Sequence, residues 1–182
     1  MRFTTRTIAY MAMLVALNII LTRFFSVRIP FEGVDGIRLG FGSLPLVLGG
    51  LMLGARAGFL IGVIGDLAGF AISPSGLYLP TFTLAAGLHG WLAGILTRRP
   101  WSEIATWQIY LAIGISQGVV SLLITPTLLS LHFALPFWLT LPGRLASQAI
   151  LIPCYCVLIG VLLQRLSWIL PYSVKCRSLS RQ

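Results

Sequence analysis

The 182-residue sequence is strongly apolar: 9% of its residues are charged, 57% are hydrophobic, and its mean hydropathy is +0.94. The apolar runs are too long and numerous for a soluble core, and the alternation of a membrane barrel is absent. The net charge of +9 does not indicate nucleic acid, because the basic residues lie at the ends of apolar runs. We therefore predict an all-α integral membrane protein with one domain over residues 1–182.

Six transmembrane helices are predicted in chain order, over residues 7–22, 38–53, 57–72, 81–97, 104–125 and 143–166. Residues 24–37 form a polar connection with mixed charges, which we expect to be a structured loop. Residues 54–56 form a tight turn. Two further connections are predicted: residues 73–80, which contain Pro and Gly, and residues 126–142, an apolar loop with Pro136 and Pro142. The second helix is short for a full crossing, and Pro45 is expected to kink it.

The distribution of basic residues predicts the orientation. Six spans place both termini on one face, and most of the 13 basic residues lie there. The other face has only Arg23, Arg28, Arg38 and Arg144. The positive-inside rule therefore predicts cytoplasmic termini. The connections at 24–37, 73–80 and 126–142 then face outward, where a ligand would enter.

Asp66 is the most informative residue, because it lies in the middle of an apolar helix. The other acidic residues, Glu32, Asp35 and Glu103, fall in predicted connections. An ionised side chain in lipid costs at least ~2.5 kcal/mol, so it usually faces the protein interior and has a function. Asp66 lies roughly 9 Å from the outer helix end at 1.5 Å per residue. Such a carboxylate can accept two parallel N–H bonds from a pterin or aminopyrimidine edge; the alternative is a structural ion pair with Arg38 or Arg144.

Arginines and aromatic residues near the outer face are further candidates. Arg38 and Arg144 are predicted to begin helices two and six, where their guanidinium groups could meet a ligand carboxylate; the alternative is contact with lipid headgroups. Flat heterocycles stack on aromatic side chains, although such residues also form interfacial belts. The aromatic candidates are Phe41, Tyr78, Phe82 and Phe137, with Trp138 beside them.

Small residues recur at a spacing of four, which allows helices to approach closely in lipid. The pairs are Ala12 and Ala16, Gly58 and Gly62, Gly65 and Gly69, and Gly90 and Gly94. Packing within the protein explains most of them. The first helix can be peripheral, however, so Ala12 and Ala16 could dock another membrane protein.

The sequence also limits the chemistry that the chain can perform. Its single lysine, Lys175, lies in the tail, so a GxxxxGK[ST] phosphate loop is impossible and any transport needs an external ATPase. His89 and His132 lack metal-ligand spacing, and neither a metal nor a cofactor is predicted. Asp66 with His89 leaves an intramembrane enzyme as an alternative.

Four segments resemble one known family. They are Arg-Leu-Gly-Phe-Gly-Ser-Leu-Pro at 38–45, Gly-Asp-Leu at 65–67, Pro-Ser-Gly-Leu-Tyr-Leu-Pro-Thr-Phe-Thr-Leu-Ala-Ala at 74–86, and Leu-Pro-Gly-Arg-Leu at 141–145. The sequence resembles the substrate-binding S components of energy-coupling factor (ECF) transporters, most of all the folate-specific FolT branch. The resemblance covers nearly the whole chain.

The resemblance implies a non-enzymatic subunit of the cell membrane that captures a vitamin outside with high affinity. It implies association with a transmembrane coupling subunit and two cytoplasmic ATPases, with Ala12 and Ala16 as the docking surface. We then expect Asp66 to bind the pterin ring, the arginines to meet the glutamate tail, and residues 24–37 and 73–80 to act as lids. The alternatives are an S component for hydroxymethylpyrimidine or pantothenate, or a scaffold protein without a ligand.

Overall fold

The computed structural model describes residues 5–24, 26–31, 34–72, 78–97, 106–133 and 137–169, with the strands up to residue 39 described as backbone only. Its elements are α1 (Thr5–Phe24), β1 (Ser26–Phe31), β2 (Val34–Gly40), α2 (Ser43–Leu53), α3 (Ala55–Ile72), α4 (Pro80–Leu96), α5 (Thr106–Gly118), a π-helical segment (Val119–Ile124), α6 (Thr125–Phe133) and α7 (Phe137–Ile169). The predicted helical class is confirmed. The predicted connection at 73–80 lies largely outside the described residues.

The connection predicted as a loop at 24–37 is an antiparallel hairpin of β1 and β2. Its register pairs Ser26 with Gly40 and Arg28 with Arg38, and an irregularity falls between Ile29 and Phe31. Proline cannot donate to a strand ladder, and Pro30 lies at this irregularity. The prediction that Arg38 begins helix two is therefore wrong, because Arg38 belongs to β2 and α2 starts at Ser43. Apolar residues alternate along both strands, which is typical of β-structure. The Pro, Gly and charged residues of the same segment favoured the prediction of a loop instead.

Helix α2 lies at the centre of the molecule. Every residue from Leu44 to Leu51 is buried. A helix that is apolar on all sides is expected to be enclosed by protein. Its 11 residues span roughly 16 Å, which is less than the ~30 Å of a bilayer core. Pro45 lies in the first turn, where proline is tolerated without a kink.

Two apolar clusters surround this central helix. The larger one joins α2 to α4, α5 and α7 and includes Val47, Ile113 and Tyr155. The smaller one joins α2 to α1 and α3 through Met11, Leu46 and Ile61. The core is thus organised around a short helix that the other helices enclose.

Glycines bring α3 and α4 into backbone contact. A Cβ atom at Gly58 would lie 2.6 Å from the carbonyl oxygen of Gly90, and one at Gly62 would meet the backbone of Ala86. Gly54 alone separates α2 from α3, with a φ of 90° that favours glycine. Packing within the protein therefore explains the Gly58–Gly62 spacing, as predicted.

The prediction that helix five ends before Pro126 is wrong, because helical structure continues from Thr106 to Phe133. The π-helical segment precedes the proline, and the backbone N–H of Thr125 bonds to the carbonyl of Val120. The hydroxyls of Thr125 and Thr127 also donate to main-chain carbonyls, at 2.8 and 2.6 Å. Side-chain hydroxyls and local π geometry are the usual means of tolerating proline in a membrane helix.

The last helix is longer than predicted and begins at Phe137 rather than Gly143, with Pro142 and Pro153 inside it. The predicted outer connection at 126–142 is thus largely helical. Among the residues that the structure describes, four helical stretches are long and apolar enough to cross a membrane: Thr5–Phe24, Ala55–Ile72, Trp107–His132 and Leu141–Leu162. Helix α2 is a shorter apolar helix.

Candidate ligand-binding site

Asp66 lies on α3, one turn after the glycines that bring α3 and α4 into backbone contact. It follows Gly58 and Gly62 at intervals of four, so the three residues share the face of α3 that meets α4. The side chain is half-buried. Its Oδ2 accepts a hydrogen bond of 2.7 Å from the hydroxyl of Thr83, which is only 4% exposed. A buried donor from α4 therefore fixes the carboxylate within the helix pair.

Tyr78 contacts both Thr83 and the aromatic residue that follows Asp66 by one turn. The hydroxyls of Tyr78 and Thr83 are hydrogen-bonded at 3.2 Å. Thr83 has one hydroxyl proton, which goes to Asp66, so the phenol of Tyr78 is the donor in the second bond. The tyrosine ring also packs against Phe70, with ring centroids 5.1 Å apart. We call Asp66, Phe70, Tyr78 and Thr83 the carboxylate cluster.

The carboxylate cluster combines acceptor oxygen atoms with flat aromatic surface. Sequence reasoning identified Asp66 and Tyr78 and missed Thr83 and Phe70. Phe70 lies one turn after Asp66, so helical periodicity was the signal that could have found it. Phe82 is half-buried in the first turn of α4, next to Thr83. The arrangement can bind a planar ligand that donates hydrogen bonds through one edge.

Arg144 lies inside a helix rather than at its beginning. It is seven residues after the first residue of α7, or roughly 10 Å along the axis, and its side chain is half-buried. The side chains of Arg38 and Phe137 lie outside the described part of the structure. The backbone of β2, which contains Arg38, packs against α7. The two predicted arginines therefore belong to neighbouring elements.

Gln148 is a polar residue of this region that sequence reasoning missed. It follows Arg144 by one turn of α7 and is 7% exposed. Its amide Nε2 donates to Ser121 in the π-helical segment at 2.5 Å. Within the described ranges, no group donates to its buried Oε1 atom. Since π-helical turns are frequent at functional sites, this amide belongs with the candidate ligand contacts.

Phe41 is held at the junction of the hairpin and the helices. Its ring meets Tyr155 of α7 edge to face, with centroids 6.2 Å apart and an interplanar angle of 85°. The hydroxyl of Tyr155 donates to the carbonyl of Gly40, the last residue of β2, at 2.6 Å. One buried tyrosine thus contacts both the end of the hairpin and the aromatic residue that follows it.

The hydroxyl of Tyr155 ends a series of hydrogen bonds between helices. His89 of α4 bonds through Nε2 to Oε1 of Gln117 at 2.8 Å. The Gln117 amide donates to Ser43 at 2.7 Å, and Ser43 donates to Tyr155 at 2.9 Å. An amide oxygen only accepts, so Nε2 of His89 carries a proton. We call these four residues the tyrosine chain; its members were not predicted as a group.

The described hydrogen bonds direct the two predicted enzymatic groups to different partners, since Asp66 bonds Thr83 and His89 bonds Gln117. Within the ranges that the structure describes, no group of three His, Cys, Asp or Glu residues could hold a metal ion.

Helix α1 has an exposed face and a packed face. Ala12 and Ala16 are exposed, together with Met13 at 70%. On the opposite side, Asn18 is buried and lies against Gly65 of α3. The small-residue pair of α1 is thus on the outside of the molecule, whereas the glycine pairs of α3 and α4 are inside.

With the fold and the site described, comparison with known proteins defines the class. The family model for the S component of the ECF-type riboflavin transporter matches residues 2–167. The chain therefore belongs to this family, and it is an S component of an ECF transporter and a multi-pass protein of the cell membrane.

Among individual proteins, a folate transporter and two solved structures are similar to this chain. The chain is 30% identical over 150 residues to the folate transporter FolT of Clostridium novyi (strain NT), covering 82% of this chain and 83% of that protein. A crystal structure of FolT bound with folic acid has a TM-score of 0.71 at 24% identity, covering 87% of this chain and 93% of the other. The S component of a bacterial ECF transporter gives a TM-score of 0.66 at 20% identity, covering 90% and 96%. The two structures share the fold.

Proposed function

We propose that this S component binds folate outside the cell and delivers it inward with a transmembrane coupling subunit and two cytoplasmic ATPases. The observation that carries the choice of ligand is the 30% identity to a folate transporter over most of both chains. The lysine content of the sequence supports an external motor, since Lys175, the only lysine, does not stand in the GxxxxGK[ST] pattern that a P-loop needs.

The carboxylate cluster is the proposed site for the pterin ring. Asp66 has two oxygen atoms, and the described bond from Thr83 uses one side of the carboxylate. Two parallel N–H groups on a pterin edge match the remaining acceptor capacity. Phe70, Tyr78 and Phe82 supply flat apolar surface, on which an aromatic ring stacks favourably.

The glutamate tail of folate is the proposed partner of Arg38 and Arg144. A guanidinium group bonds carboxylates through a planar pair of donors. The packing of β2 against α7 supports this assignment, because it makes the two elements neighbours. Phe41, two residues before α2, and Phe137, the first residue of α7, are the proposed aromatic walls. The hairpin and residues 73–80 are the proposed lids.

For the topology, we infer six crossings with both termini in the cytoplasm and a single domain over residues 1–182. The continuous helical stretch from Thr106 to Phe133 forms one crossing. Helix α2 is too short to span the bilayer core on its own. We infer that it lies within the membrane, enclosed by the other helices, and counts as one of the six crossings. The distribution of basic residues supports this orientation.

Ala12 and Ala16 are the proposed docking surface for the coupling subunit. Their exposure supports the assignment, because small residues on an outer face let a second helix approach closely. The protein itself has no enzymatic role in this account.

A flavin is the second candidate ligand, because the matching family model describes a riboflavin transporter. Riboflavin also offers a flat ring with hydrogen-bonding edges. It has no carboxylate, however, so it gives no role to Arg144. Competition between the two vitamins therefore separates the candidates.

Uptake measurements test the proposed function. Cells that express this chain with the coupling subunit and active ATPases should accumulate labelled folic acid. Cells with ATPases inactivated in their P-loop lysines should bind folic acid at the surface without accumulating it. Accumulation of riboflavin, pantothenate or hydroxymethylpyrimidine in place of folic acid would refute the assignment of the ligand.

A further inference from the structure

We propose that Tyr155 is a positioning residue for the ligand site, acting through Gly40 and Phe41 at the junction of the hairpin and α2. This inference rests on the proposed function, in which Phe41 is a wall of the site and the hairpin is a lid. Tyr155 does not need to touch the ligand for this role.

Tyr155 links α7 to the end of β2 through the hydrogen bond from its hydroxyl to the carbonyl of Gly40. The side chain is 0% exposed, so its hydroxyl has no access to water. Its ring fixes Phe41 edge to face while its hydroxyl holds the Gly40 carbonyl. Two consecutive residues of the junction are therefore positioned by one side chain.

The tyrosine chain explains why this hydroxyl has a defined direction. Within it, Gln117 donates to Ser43, Ser43 to Tyr155, and Tyr155 to Gly40. Because Ser43 supplies the proton accepted by the phenol oxygen, the phenol proton is left for the Gly40 carbonyl. Hydrogen bonds in such buried networks strengthen one another.

The tyrosine chain also connects the junction to α4, the helix that contributes Thr83 to the carboxylate cluster. His89 and Thr83 both belong to α4, and His89 begins the series of bonds that ends at Gly40. The placement of the lid and the placement of Thr83 are thus set by the same helix. We infer that the tyrosine chain coordinates the two ends of the binding site.

Tyr155→Phe tests this role, because it keeps the ring and its contact with Phe41 and removes only the hydroxyl. Tyr110→Phe is the matched control, since Tyr110 lies on α5 and is 41% exposed. The readouts are the release rate of labelled folic acid from the purified full chain, amide hydrogen exchange of residues 34–44 without ligand, and the melting temperature.

We expect Tyr155→Phe to accelerate release about tenfold, which corresponds to ~1.4 kcal/mol. Amide exchange should rise in residues 34–44 and stay unchanged in residues 57–62, where α3 meets α4. Tyr110→Phe should change neither quantity. If Tyr155 has only a structural role, the melting temperature will fall while exchange rises equally in both segments, and that result would overturn the inference.

Ser43→Ala provides an independent check on the series. It removes the group that bonds both Gln117 and Tyr155, so it should also raise exchange in residues 34–44. Combined with Tyr155→Phe, it should add much less than its separate effect, since residues in one network are not additive. Full additivity would contradict a connected chain.

The ligand-free exchange measurement keeps this inference separate from the proposed function. If the wild-type protein does not bind folic acid, the proposed ligand is wrong, and the exchange of residues 34–44 still decides the positioning role. Unchanged exchange in Tyr155→Phe overturns the role of Tyr155, even where folic acid binds tightly.

Discussion

Asp66→Asn is the substitution that tests the carboxylate most sharply. Asparagine has nearly the same shape, and its side-chain oxygen can still accept the Thr83 hydroxyl that bonds Asp66 at 2.7 Å. The substitution therefore removes the charge and one acceptor oxygen while keeping the described contact. Any loss of ligand affinity then reports on the charged group itself.

The expected magnitude follows from the bonds that the ligand would lose. A hydrogen bond to a charged group contributes ~1.5–3 kcal/mol, and each 1.4 kcal/mol is tenfold in affinity. We therefore expect Asp66→Asn to weaken the binding of folic acid by about 10- to 150-fold. The melting temperature without ligand should change little, because the bond to Thr83 is kept.

Equilibrium binding to the purified protein measures this effect, with Thr83→Val and Thr97→Val as a matched pair. Thr83→Val removes the bond to Asp66 and should weaken binding. Thr97→Val removes a buried hydroxyl whose described hydrogen bond is to the carbonyl of Ala93, one turn earlier, and should leave binding unchanged. If Asp66→Asn abolishes folding while the surviving fraction binds like the wild type, Asp66 is a structural residue.

Three further predictions concern the helix contact, the docking surface and the tail of the ligand. Gly90→Ala should lower the melting temperature, because its Cβ would meet backbone across the α3–α4 contact and overpacking costs ~1–3 kcal/mol. The control is Gly114→Ala, whose Cβ would lie in open space, so its melting temperature should be equal to that of the wild type or higher. Bulky residues at Ala12 and Ala16 should reduce uptake while binding persists. Arg144→Gln should weaken folic acid binding about tenfold, or ~1.4 kcal/mol, and leave the binding of hydroxymethylpterin, which has no carboxylate, unchanged.

A specific result would contradict each of these predictions. Equal melting temperatures for the two glycine variants would mean that α3 and α4 are not in backbone contact. Normal uptake with bulky residues on α1 would place the docking surface elsewhere. Equal losses for folic acid and hydroxymethylpterin would show that Arg144 acts on the fold or on the ring rather than on the tail.

The sequence predicted most of the helices because their apolar runs are long and their ends are marked by glycine or charge. Gly54 is an example, since its turn was predicted and it has a φ of 90°. The hairpin was missed because only alternation over short runs distinguishes it from a loop. The helix through Pro126 was missed because the compensating bonds of Thr125 and Thr127 depend on three-dimensional geometry.

The candidate site was predicted only in part, for a related reason. A single charge in an apolar helix made Asp66 conspicuous. Thr83, Ser43 and Gln117 are uncharged polar residues, and the sequence does not reveal which partners they have across helices. Tyr155 resembles an ordinary core residue in an apolar segment, and its role follows only from its bond to Gly40.

Equilibrium binding of folic acid to the purified wild-type chain, with riboflavin as competitor, tests the central claim most directly. We expect saturable binding with a dissociation constant below micromolar and no displacement by an excess of riboflavin. Absence of binding below micromolar, or displacement by riboflavin at equal concentration, would contradict the account.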